Sequence, residues 1–125
     1  MNVGDTLPAW KLPITPTLVV STALATRDFQ DVHHDRDIAQ AAGSKDIFVN
    51  ILTSTALCER YVTEWAGSDV VIKGIAVKLG APAYPYDTLS FSGTVRDVSD
   101  GVATIEVIGS VSLGNHIIGT VRIAA

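Results

Sequence analysis

Two hydrophobic periods divide the chain. Over residues 48–65 the apolar side chains Ile51, Leu52, Ala56, Leu57, Tyr61, Val62 and Trp65 recur at spacings of three and four, and Gly67 follows. That spacing predicts a long helix closed by a glycine. It is apolar on much of its circumference, so it is expected to be largely wrapped by other structure. From Val70 onward the chain reads as strands at 70–79, 88–98, 102–113 and 116–123. Turns separate them at 82–85, at Asp100-Gly101 and at Gly114-Asn115. Asp-Gly between two apolar runs is a strong two-residue hairpin signal.

The first half is less regular. Pro8 and Pro13 flank Trp10 and indicate an extended arm or short strand. Thr15-Pro16 has the form of a helix start, with Thr15 as cap and Pro16 at the first helical position. The β-branched residues that follow, over 18–25, favour a strand instead; the start signal tips the reading towards a helix. Residues 27–37 are dense in charge without an apolar period and predict a loop of functional character. A short helix is expected at 38–42, ended by Gly43. The order is a helix-rich half, then an antiparallel meander of about four strands. That is an α+β layout with a sheet packed on a long helix. With no internal repeat, low-complexity tract or linker, residues 1–125 are expected to form one domain.

Composition adds a partner and removes several function classes. Of the 125 residues, 47% are apolar and 18% charged, which suggests that one face meets another subunit. The net charge of -4 argues against nucleic acid, which selects a basic face. No apolar run approaches the ~18 residues of a membrane span, and no signal peptide is expected at the N-terminus. Cys58 is the single cysteine, so no disulfide forms within the chain and the cytoplasm is the expected compartment. It lies in an apolar helical pattern and reads as an inert core thiol rather than a nucleophile.

The chemistry concentrates in Arg27-Asp28-Phe29-Gln30-Asp31-Val32-His33-His34-Asp35. A carboxylate and an imidazole that converge on one point can hold a water, take a proton from it and return one elsewhere. Asp28 and His33 are the candidates. The plainer alternatives are a loop carboxylate that caps a turn and a surface imidazole. His34 is expected outside the pair, in an outward or supporting position. Asp31, His33, His34 and Asp35 lack the helical spacing of a metal site, so no metal is expected. Asp35 and Asp37 read as solvated charges or helix-start residues. Trp10, Tyr61 and Trp65 read as core or interface, and His116 as structural.

These residues carry a family resemblance. The run Asp28-Phe29-Gln30-Asp31-Val32-His33 resembles the dyad motif of MaoC-like enoyl-CoA hydratases and dehydratases, with Asp31-Val32 in place of the usual Asn-Pro. The approach Gly43-Ser44-Lys45-Asp46-Ile47-Phe48-Val49-Asn50 resembles the family's glycine-rich entry to its central helix, with Val49-Asn50 where His-Gly usually stands. The resemblance implies a hot-dog fold, in which a curved antiparallel sheet wraps a long helix. It also implies that Asp28 and His33 are catalytic and that a backbone N–H, here that of Asn50, polarises the thioester carbonyl.

The stretches Ser21 to Asp35, Arg60-Tyr61-Val62-Thr63-Glu64-Trp65-Ala66-Gly67 and Tyr86-Asp87-Thr88-Leu89-Ser90-Phe91-Ser92-Gly93 are similar to one branch. This branch comprises the small subunits of heteromeric hydratases in actinobacterial steroid side-chain degradation. The branch implies a steroid enoyl-CoA substrate with a shortened side chain and no cofactor beyond the coenzyme A that the substrate carries. It implies a larger partner with a MaoC-like domain and a DUF35-type domain, in a heterodimer or heterotetramer, and through it a thiolase-like aldolase. Two other classes stay open: a non-catalytic hot-dog subunit, and a hot-dog thioesterase using Glu59 or Glu64 on the central helix.

Overall fold

The computed structural model describes residues 1–125. Its elements run β1 (Thr6–Pro13), α1 (Pro16–Ala25), a single 3-10 turn (Asp31–His33), α2 (Arg36–Ala41), α3 (Ile51–Ala66), β2 (Ile72–Leu79), β3 (Thr88–Ser99), β4 (Val102–Val111) and β5 (Gly114–Ala124). The strands form one five-stranded sheet in the order β1-β3-β4-β5-β2, with every neighbouring pair antiparallel. The sheet packs on α3, as in a hot-dog fold.

Alternation along the strands gives the sheet its inner face. Leu89, Phe91 and Val95 of β3, Ala103, Ile105 and Val107 of β4, and Ile117, Val121 and Ile123 of β5 are buried. They meet Leu57, Cys58, Tyr61 and Val62, a stripe on α3 at spacings of one and three. Gly93 lets helix and sheet approach: a Cβ there would lie 3.2 Å from Tyr61 Cε2 and from Leu7 Cδ2. At the β3–β4 hairpin, Asp100 (φ 53) and Gly101 (φ 74) both adopt the left-handed region, as a tight two-residue turn requires.

The helix reading of 18–25 holds. Thr15 Oγ1 accepts the Leu18 N–H at 3.0 Å and Pro16 opens α1. Its far end closes by two bonds, Arg27 N–H to the Leu24 carbonyl at 3.0 Å and Asp28 N–H to the Ala23 carbonyl at 2.9 Å. Arg27 is left-handed (φ 55). This is a Schellman closure with arginine where glycine is usual.

Several expectations are corrected. The N-terminal segment takes the strand alternative, as edge strand β1 paired with β3, so the sheet has five strands where the meander alone gave about four. The loop at 27–37 contains the 3-10 turn, and α2 begins at Arg36 because Asp35 Oδ1 caps the Ile38 N–H at 3.2 Å. The long helix begins at Ile51 rather than Phe48. Phe48 and Val49 are held outside the helix instead, their N–H groups donating to the carbonyls of Val32 and Ala83. That helix is also less wrapped than its composition suggests. Ile51, Leu52 and Ala56 are exposed, because the sheet covers one side of α3.

Candidate active site

Asp28 directly follows the closure of α1, so the helix end sets its backbone. The Gln30 N–H turns back to Asp28 Oδ1 at 3.2 Å, and the 3-10 turn then carries His33 round to face it. His33 Nε2 lies 3.4 Å from Asp28 Oδ2. The five-residue spacing thus brings carboxylate and imidazole together through two consecutive turns. His34 contributes from behind: its Nε2–H donates to the Asp28 carbonyl at 2.7 Å and pins the loop. It supports the pair and does not belong to it.

Hydrogen bonding defines which atoms of the pair are acceptors. His33 is buried, and its Nδ1 sits 2.7 Å from the Phe48 carbonyl oxygen. A carbonyl can only accept, so Nδ1 carries a proton; in the neutral tautomer Nε2 then presents a lone pair. Asp28 Oδ2 is also an acceptor. In that tautomer neither can bond the other, and the two acceptors lie 3.4 Å apart. The ring is further held edge-on to Phe48, with centroids 4.9 Å apart. Partial burial raises the Asp28 pKa, but the Asn50 amide, the Gln30 N–H and the two histidines outweigh it. Together they hold its carboxyl below the ordinary carboxylate value.

His33, Phe48, Asn50, Ile51, Gly80 and His116 are among the residues around a cleft of about 290 Å³. Asn50 is the cap of α3: its Oδ1 accepts the Thr53 N–H at 3.1 Å. The Asn50 N–H has no hydrogen-bond partner within the chain, and it stands at the positive end of the α3 dipole. The opposite wall is fixed by His116, which is 2% exposed. Its Nδ1–H donates to the Ala81 carbonyl at 2.7 Å, so Nε2 accepts the Ser54 hydroxyl at 2.7 Å. Burial lowers its pKa, keeping it neutral, and the bond to Ala81 opposes this in part.

Sequence reasoning located Asp28, His33 and the Asn50 backbone, and the structure brings all of them to one place. It missed the Asn50 side chain, the Phe48 carbonyl and the Ser54–His116 link. An asparagine just before an apolar-periodic run is a cap signal, and it would have marked Asn50 as the start of α3. A backbone carbonyl leaves no sequence signal.

The other candidates separate from this cleft. Cys58 is fully buried, and burial pushes its thiol up to about 12, too high for a thiolate nucleophile. Glu64 pairs with Arg60 at 3.0 Å and borders a different cavity beside Trp10 and Trp65, about 20 Å along α3 from Asn50. Glu59 is exposed on the same distal half of the helix. Neither reaches the cleft. No three His, Cys, Asp or Glu side chains are grouped to hold a metal ion. No helix is long and apolar enough to cross a membrane.

Known proteins match this chain over nearly its whole length. The 3-oxo-4,17-pregnadiene-20-carboxyl-CoA hydratase beta subunit of Mycobacterium tuberculosis is 60% identical over 122 residues, covering 98% of this chain and 95% of that protein. The crystal structure of the ChsH1-ChsH2 complex from the same organism contains a chain that matches with a TM-score of 0.97 at 59% identity, over 98% of this chain and 97% of that one. The (R)-hydratase from A. caviae involved in PHA biosynthesis shares the fold at 16% identity, with a TM-score of 0.90 over 99% of this chain and 96% of that one. The MaoC like domain matches residues 3–116, and with this span and these relatives the chain belongs to the MaoC-like family.

Proposed function

We propose that this chain is the dyad-bearing small subunit of a heteromeric enoyl-CoA hydratase acting on a steroid enoyl-CoA with a shortened side chain. The observation that carries the reading is the convergence of two acceptors, Asp28 Oδ2 and His33 Nε2, 3.4 Å apart at the edge of an apolar cleft. One water can donate a hydrogen to each, which turns its oxygen lone pairs towards a bound substrate. The oxygen forms a bond to the β-carbon, which in this substrate is the ring carbon of the double bond. Its proton passes to Asp28 as base while His33 orients the water. Charge gathers on the thioester oxygen, where the Asn50 N–H donates; such a donor contributes ~3 kcal/mol. The dyad then returns a proton to the α-carbon, and the net change is the addition of one water.

The cleft supports a partner as well. Sites for ligands of drug size occupy roughly 300–1,000 Å³, so about 290 Å³ is small for a steroid thioester. Phe29, next to Asp28, is 67% exposed, and Ile51 on the cleft is 52% exposed. A larger MaoC-like subunit with a DUF35-type domain would cover these side chains, complete the pocket and recruit a thiolase-like aldolase. The substrate brings its own coenzyme A, so no further cofactor is assigned, and the reaction belongs to the cytoplasm.

The test is hydration of a steroid enoyl-CoA by the chain co-expressed with that partner. Asp28→Ala and His33→Ala should each lower turnover at least ~100-fold with the complex still assembled. Undiminished turnover in either variant would remove that residue from the chemistry.

A further inference from the structure

The side chain of Asn50 does more than cap a helix. We propose that Asn50 is a positioning residue whose amide clamps the Asp28 carboxylate at Oδ2, the oxygen that faces His33. The inference rests on the reading of Asp28 and His33 as the dyad and deepens it.

Asn50 is 2% exposed, so both polar atoms of its side-chain amide need partners. Oδ1 accepts the Thr53 N–H at 3.1 Å, while Nδ2 donates to Thr26 Oγ1 at 2.9 Å and to Asp28 Oδ2 at 3.1 Å. A flipped amide would set its oxygen against a carboxylate and its NH2 against an N–H, so only one orientation fits. Thr26 is committed the same way. Its hydroxyl is placed to donate to the Thr22 carbonyl at 2.8 Å, which leaves an acceptor for Asn50. The chain of donors therefore ends on Asp28.

Asp28 then meets a donor at each oxygen, Gln30 N–H at Oδ1 and Asn50 Nδ2 at Oδ2. This environment suits an ionised, fixed carboxylate. The titratable groups acting on it are His33 and His34, both from its own loop; α3 contributes the neutral amide. A cap alone needs only the Asn50 oxygen, which serine also supplies. The two donor contacts reach 24 and 22 residues back along the chain, and a cap has no use for them.

Asn50→Ser separates the two roles, because its short side chain keeps the cap and gives up the clamp. Asn50→Asp also keeps a cap acceptor but sets a second carboxylate where the donor stood. The probe is the carboxyl 13C titration of Asp28 in the co-expressed complex, assigned by Asp28→Asn, alongside the pH profile of hydration. Loss of a donor to the charged form makes that form less favourable, so the Asp28 midpoint and the acid limb of kcat/KM should both move to higher pH. The shift should be larger in Asn50→Asp than in Asn50→Ser. With substrate binding intact, kcat should fall about ten- to a hundredfold and KM change little. Thermal stability of Asn50→Ser should stay within a few degrees of the wild type. An unmoved Asp28 midpoint in both variants overturns the clamp, even where Asp28→Ala abolishes turnover. Conversely, full turnover in Asp28→Ala would overturn the dyad, while the titration would still report whether the clamp exists.

Discussion

Asp28 and His33 were legible in the sequence because their pairing is local: two turns within six residues bring them together, and both leave residue-type signals. The Asn50 amide reaches Asp28 from 22 residues away and was invisible for that reason. Its neighbour Thr53 offers a separate test of residue-scale energetics. Thr53 Oγ1 is buried without a hydrogen-bond partner, on a residue 3% exposed. An unpaired buried hydroxyl costs ~1–3 kcal/mol, and an apolar group of the same shape removes that cost. Thr53→Val should therefore be neutral or stabilising by up to about 1 kcal/mol in urea unfolding. A loss of more than 1 kcal/mol would mean that the hydroxyl has a partner in solution.

Elements were readable where a signal sits at their ends. Thr15-Pro16 decided α1 against its β-branched interior, and Asp100-Gly101 located the β3–β4 hairpin. The start of α3 was misplaced because Phe48 and Val49 continue its apolar pattern, while bonds to the distant carbonyls of Val32 and Ala83 hold them outside the helix. Beside the cleft the Ser54–His116–Ala81 chain ties α3 to β5 and to the segment after β2. His116 is buried neutral, with its pKa lowered from the ordinary 6.5 by burial. Below about pH 6.5 the unfolded chain takes up a proton at this site that the folded chain refuses. Stability from this group is therefore present above that pH and lost as pH falls through it. Urea unfolding at pH 5.5 and 7.5 should show a smaller pH difference for His116→Gln than for the wild type. Ser54→Ala, which strands the buried Nε2 acceptor, should cost ~1–2 kcal/mol at pH 7.5. An unchanged pH difference in His116→Gln would show that this histidine does not govern the acid limb.

At the scale of the molecule, some of the exposed apolar side chains lie on or near the candidate site's own elements. Leu24, Phe29, Ile51 and Leu52 are each at least half exposed, and exposed apolar side chains of this kind are what a partner subunit covers. Under the proposed assembly, the partner binds the folded chain and not the unfolded one, so it should raise the melting temperature in a concentration-dependent way. Thermal melts of the chain alone and with the co-purified partner, at two concentrations, check this. Identical melting temperatures throughout would leave those side chains without a partner.

Sequence alone determined the class of fold, the order of most elements and the two candidate side chains that the structure brings together. All of these rest on period, on end signals and on residues close together along the chain. Tertiary structure decided the rest. It made the N-terminal arm a fifth strand, since only pairing with β3 satisfies its backbone. It left one face of α3 bare, because a sheet can cover a helix from one side. It also assigned the proton of His33 and the hold on Asp28, because the groups responsible, a Phe48 carbonyl and an Asn50 amide, act through space and not through their place in the sequence.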